Sequence, residues 1–144
     1  MKTFLLIVTI VLLIRRGLST PRSLSKKIYE KYIEKEIKSM ADFSAKKNED
    51  ELDDFKFVVC WLAFIFALFM LWYYIHIGGR FPNKMLYFMS VIQASTVLVS
   101  FGKDLSSKPF STNPEDHKFN RGYALFNVVL DYMYYPIVIY MLLQ

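Results

Sequence analysis

The chain has 144 residues, 54% of them hydrophobic and 17% aromatic, with 18 Lys and Arg against 13 Asp and Glu for a net charge of +5. It is greasier than a soluble domain, where about 45 to 50% apolar residues is usual, and too short to bury a wholly apolar helix inside a soluble core. Residues 15–56 hold 11 of the cations and 9 of the acids. This mixed-sign segment lacks a basic stripe interleaved with aromatics, so nucleic acid is not an expected partner. A single cysteine, Cys60, excludes an intrachain disulfide. His76 and His117 lie far apart without neighbouring ligands, so no metal or cofactor is expected.

In chain order, residues 1–20 begin with an apolar run over 4–14 that Arg15 and Arg16 close. Three readings stay open. A secretory signal peptide fits the length of the run and the small-residue site around Gly17, Leu18 and Ser19. A mitochondrial presequence fits the absence of acids before Glu30 and the basic residues Lys2, Arg15, Arg16, Arg22, Lys26 and Lys27. A retained anchor is the third; eleven apolar residues are few for a span, so it would lie obliquely or against a partner. Residues 21–56 form the next unit. Thr20 and Pro21 predict an N-cap and first turn, and Ile28, Tyr32, Ile33, Ile37 and Met40 recur at helical spacing, so an amphipathic helix is expected over 21–41. Glu34 and Lys38 sit at i,i+4. Residues 44–54 read as a polar, acidic connection.

Residues 57–101 predict a membrane hairpin. The stretch 57–77, FVVCWLAFIFALFMLWYYIHI, contains no Asp, Glu, Lys or Arg and is long enough to cross a hydrocarbon core of roughly 30 Å. Trp61 lies near one end, while Trp72, Tyr73, Tyr74 and His76 cluster at the other, where amphipathic rings favour the headgroup level. Gly78 and Gly79 predict the helix stop, followed by a turn at Pro82 and Asn83. The uncharged residues 85–101 form a short second span; Ser90 and Ala94 have the spacing for close helix approach, and Gln93 can hydrogen-bond across an interface. Residues 102–121 read as a surface loop.

Residues 122–144 then form a third span with Asp131 near its centre. An ionisable group deep in a bilayer costs roughly 2.5 to 3.5 kcal/mol and faces protein, water or ligand. Asn127, Asp131, Tyr134 and Tyr135 share one helical stripe. The readings for Asp131 are a salt bridge to a cation on another subunit, a proton or quinone site, a channel lining, or a place at the membrane interface. Pro136 removes one backbone donor. No phosphate loop, nucleophile triad, paired catalytic carboxylates or metal motif stands in the sequence, so the chain is not expected to be an enzyme.

The segment ALFNVVLDYMYYP, residues 124–136, resembles the Asp-Tyr segment of the small membrane-anchor subunit of succinate dehydrogenase. Asn127, Val128, Val129, Asp131 and Tyr132 follow that family's order, and the resemblance implies a ubiquinone site bordered by Asp131 and Tyr132. The family's haem-ligand His has no counterpart, Asn120, Arg121 and Gly122 standing in its place.

The expectation is an all-α multi-pass membrane protein with about three transmembrane helices, an N-terminal apolar helix and an amphipathic surface helix. Ser90, Gln93, Ala94, Asn127, Asp131 and Tyr135 would pack against neighbouring helices or larger membrane subunits, with lipid around them. The expected function is a non-catalytic accessory or anchor subunit of a respiratory-chain complex in the mitochondrial inner membrane. A small subunit of an endoplasmic-reticulum protein insertion or processing complex is the alternative, and a quinone-site anchor of the succinate dehydrogenase type is a third reading.

Overall fold

The computed structural model describes residues 1–106 and 119–144, which form five helices: α1 (Lys2–Leu24), α2 (Lys26–Ser44), α3 (Glu49–Arg80), α4 (Lys84–Ser106) and α5 (Arg121–Leu143). Most of the expected surface loop, residues 107–118, lies outside the described residues. Four helices, α1, α3, α4 and α5, are long and apolar enough to cross a membrane.

About three spans and an N-terminal apolar helix were expected; α1, now long enough to cross, is the fourth candidate. Its helix does not stop at Arg15 and Arg16 but continues through Gly17 and Pro21 to Leu24. Proline is tolerated because it removes one donor close to the helix end. The donor it removes is the one that would reach the Gly17 carbonyl; around it the Thr20 hydroxyl donates to the Arg16 carbonyl at 2.8 Å, and the Ser25 N–H donates to the Pro21 carbonyl at 3.1 Å. Ser25 is extended and caps α2, accepting from the Ile28 N–H. The expected break at Thr20 and Pro21 therefore falls at Ser25.

Two further boundaries move. The acidic run expected as a connection is helical, with Glu49, Asp50 and Glu51 in the first turn of α3, where carboxylates complement the positive end of the helix dipole. At its other end α3 runs through Gly78 and Gly79 to Arg80. Its 32 residues correspond to about 48 Å at 1.5 Å per residue. The turn occupies 81–83, and the Asn83 side chain caps α4 by accepting from the Met85 and Leu86 N–H groups at 3.0 and 3.2 Å. Asn120 caps α5 in the same way through the Tyr123 N–H.

The helices alternate in direction. Gly78 lies opposite Ser90, and Phe64 opposite Phe101, so α3 and α4 form an antiparallel hairpin. Contacts from Phe4 to Trp72 and from Arg15 to Phe66 run α1 antiparallel to α3. Ser90 meets Tyr134 and Ser100 meets Tyr123, which sets α5 antiparallel to α4. Residue 1, the 81–83 turn and residue 144 consequently share one end of the bundle, while α2 sits at the other. The shared core contains Leu5, Tyr73, Ile77, Leu86, Tyr134 and Val138, each at most 1% exposed.

α2 stays outside that core. None of its residues is buried; it packs on α1, and Tyr29 and Phe43 meet Phe119 and Phe55 at ring distances of 5.1 and 4.7 Å. Its i,i+4 contacts are Lys26 with Glu30 and the Tyr32 hydroxyl with Glu36, rather than the expected Glu34 with Lys38.

Candidate functional site: a polar spine on α5

Five of the side chains on α5 fasten it to the other three long helices. Asp131 carries the main tie. Its Oδ2 lies 2.9 Å from Arg16 Nε of α1, and its Oδ1 accepts from Gln93 Nε2 of α4 at 2.6 Å. Both charged side chains are largely out of solvent, at 17% and 15% exposure. The cation that Asp131 was expected to find on another subunit is thus supplied by the same chain. Charge neutralisation explains the pairing: either group alone in this position would be an uncompensated buried charge.

Successive residues then reach different helices. The Tyr132 hydroxyl is 3.1 Å from Thr20 Oγ1 on α1. Because the Thr20 proton already goes to the Arg16 carbonyl, Tyr132 is the donor. Tyr134 and Ser90 Oγ are 2.8 Å apart across α5 and α4, and Tyr135 meets the Tyr74 hydroxyl of α3 at 2.8 Å. Nearer the charged end, Tyr123 and Ser100 approach to 3.3 Å. A further tie joins α1 to α3: Thr9 donates to the Leu5 carbonyl, so the Tyr73 hydroxyl donates to Thr9 at 2.7 Å.

Tyr73, Tyr74, Tyr134 and Tyr135 form one chain of edge-to-face contacts with centroids 5.2 to 5.6 Å apart. Such rings contribute apolar area and still satisfy their hydroxyls. Of the aromatic cluster expected at the headgroup level, Tyr73 and Tyr74 face into the bundle, at 0% and 2% exposure, and Trp72 faces outward. His76 stacks on Trp72, with Nε2 buried and unpartnered among the described residues.

The expected site residues separate into groups. Gln93, Asp131, Ser90 and Tyr135 belong to the spine. Ala94 is half-buried and lines a small gap of about 260 Å³ between α3 and α4, beside Ser90 and Gly78. Asn127 is half-buried one turn from Asp131, outside the hydrogen bonds just described. Asp131 and Tyr132, paired by the resemblance as a quinone site, both meet α1, the carboxylate at Arg16 and Tyr132, 42% exposed, at Thr20 beside Gly17.

No protein-family model, characterised protein or solved structure matches the chain. Its site must be read from its own geometry.

Arg16, Thr9, Thr20, Tyr73 and Tyr74 are spine residues that the sequence reading did not select. For Arg16 a signal existed: a lone Asp in one span needs a cation at comparable depth, and Arg15 and Arg16 directly follow an apolar run.

Proposed function

We propose that α1, α3, α4 and α5 cross a lipid bilayer and that the chain serves as a non-catalytic accessory or anchor subunit of a larger membrane complex. The observation that carries this reading is the engagement of both Asp131 oxygens, by Arg16 of α1 and Gln93 of α4. A carboxylate committed to two helices acts as a fastening of the bundle rather than as a group held ready for proton or quinone chemistry. Outside the bundle, large apolar residues such as Ile7, Phe57, Leu62, Ile75, Phe88 and Tyr140 face outward, as suits lipid tails and the helices of other subunits.

Charge supplies an orientation. Lys2, Arg80 and Lys84 belong to the end that holds the 81–83 turn, Arg15 and Arg16 lie within α1, and the other thirteen of the eighteen Lys and Arg lie in or beside the segments linking α1 to α3 and α4 to α5. The excess of cations retains the α2 end on the cytoplasmic or matrix side and leaves the 81–83 turn translocated.

The compartment we assign first is the mitochondrial inner membrane, with the chain a subunit of a respiratory complex, on the strength of the acid-free, basic start of the sequence. One observation favours the second reading, an endoplasmic-reticulum insertion or processing complex. Leu5, Thr9 and Leu12 of α1 are buried in the bundle, as a retained signal anchor would be. Native electrophoresis of tagged protein from fractionated cells, extracted in mild detergent, separates these outcomes. Co-migration with respiratory subunits is expected; co-migration with translocation or processing subunits moves the protein to the second compartment, and a stable monomer contradicts the subunit role.

A further inference from the structure

A cleft of about 860 Å³ opens where α1 turns into α2, walled also by α3 and α5. It falls within the range of about 300 to 1,000 Å³ typical of small-molecule sites. Its lining is graded along α1. Arg22 and Ser23 stand at the α2 end with Tyr32, Arg15 and Arg16 occupy the middle, and Val11 and Leu12 continue the wall with Met70 of α3. Val11 and Arg22 are separated along the helix by about 16 Å.

Among the described residues the charge lining this cleft is unbalanced. Three arginines line it against one carboxylate, Asp131, which Arg16 Nε and Gln93 already hold. Arg16 Nε and Nη2 are both buried without a hydrogen bond among the described residues, Nε holding Asp131 as an ion-pair contact at 2.9 Å. Arg15 and Arg22 rest over aromatic faces, 5.2 Å from the Phe66 centroid and 4.0 Å from that of Tyr32, and neither pairs with an acid among the described residues. The neighbouring hydroxyls are already committed, Ser19 to the Arg16 carbonyl and Ser23 to the Ser19 carbonyl. Guanidinium groups are therefore the donors left to a ligand, and their planar forks match phosphate oxygens.

We propose that this cleft binds the phosphate headgroup of an anionic phospholipid between Arg15, Arg16 and Arg22, with an acyl chain laid along the apolar wall from Leu18 to Val11. This rests on the membrane reading above. A free phosphate would use only the arginine end, whereas the apolar half of the cleft suits a ligand that is charged at one end and greasy along the rest.

The test uses the full chain reconstituted in vesicles of phosphatidylcholine and phosphatidylglycerol in equal parts, extracted gently and weighed by native mass spectrometry. The wild type is expected to retain phosphatidylglycerol in preference to phosphatidylcholine. Arg15→Gln combined with Arg22→Gln should lower that retention about tenfold or more, as loss of charge-assisted hydrogen bonds implies. The surface pair Lys26→Gln and Lys27→Gln should leave it unchanged. Equal retention of the two lipids by the wild type overturns the proposal, as does unchanged retention in the double-arginine variant. Complete displacement by excess inorganic phosphate would assign the cleft to a free anion and also overturn it. Should the double-arginine variant fail to fold, the lipid preference and phosphate competition of the wild type decide. Failure of the wild type to enter vesicles at all would sink the membrane reading, before any lipid is counted, and this proposal with it.

Discussion

Asp131→Asn is expected to lower the yield of folded, monodisperse protein sharply and to cost about 3 to 5 kcal/mol, the range for removing one partner of a buried ion pair. Asparagine has nearly the shape of aspartate, so packing changes little. What changes is that Arg16, 17% exposed and facing the α4 and α5 side of the bundle, loses its counter-charge. The decisive comparison is the double variant Arg16→Met with Asp131→Leu. Replacing a buried pair with apolar residues of similar size is often neutral or stabilising, so the double variant should recover most of the midpoint temperature lost by Asp131→Asn. Thermal unfolding of detergent-solubilised protein, followed by circular dichroism, measures both. Wild-type stability in Asp131→Asn would mean that the contact with Arg16 fastens nothing.

Gly78→Ile should be the second most damaging change, costing about 1 to 3 kcal/mol by overpacking. A Cβ at Gly78 would lie 3.0 Å from Ser90 Cβ and 3.2 Å from Ser90 Oγ. Ser90 cannot swing away freely, because it is buried and its hydroxyl is bound to Tyr134. An added side chain must therefore push α4 off α3. Gly79 provides the internal control: it is also in α3, yet a Cβ there meets nothing within 4 Å. Gly79→Ala should be neutral or stabilise by up to about 1 kcal/mol, since alanine restricts the unfolded chain and favours helix. The same unfolding assay orders the three proteins, with Gly78→Ile lowest and Gly79→Ala at or above wild type. Equal midpoints for Gly78→Ile and wild type would show that the hairpin does not close at this point.

The all-helical architecture, the apolar centres of α3, α4 and α5, and the importance of Asp131 were legible from residue order. Uncharged runs announce spans by length alone, and a carboxylate inside one stands out because of its cost. The full extent of α1 was not legible. Arg15 and Arg16 end its uncharged run, and the compensation for Arg16 is a residue more than a hundred positions away, so each charge looks prohibitive until the two are brought together. Pro21 compounded the error, because proline one position after threonine is a common helix start. For Tyr73 and Tyr74 the difficulty was different. α3 is apolar on all sides, and periodicity cannot mark the inner face of such a helix. Only the positions of Thr9 and Tyr135 on neighbouring helices reveal that these two tyrosines face inward. Gly78 misled for a related reason: glycine near a charged residue reads as a helix stop, whereas here it provides room for Ser90.

The proposed four-span arrangement is tested most directly by locating both ends of the chain relative to the membrane. In a background carrying Cys60→Ser, single cysteines at Lys2→Cys, Arg80→Cys and Lys38→Cys, and one appended after Gln144, would be probed with a membrane-impermeant maleimide in sealed vesicles and again after permeabilisation. Four spans place the first, second and appended positions on the same side and Lys38→Cys on the other. Labelling of Lys2→Cys on the same side as Lys38→Cys, opposite the appended cysteine, would show that α1 does not cross and would contradict the bundle described here.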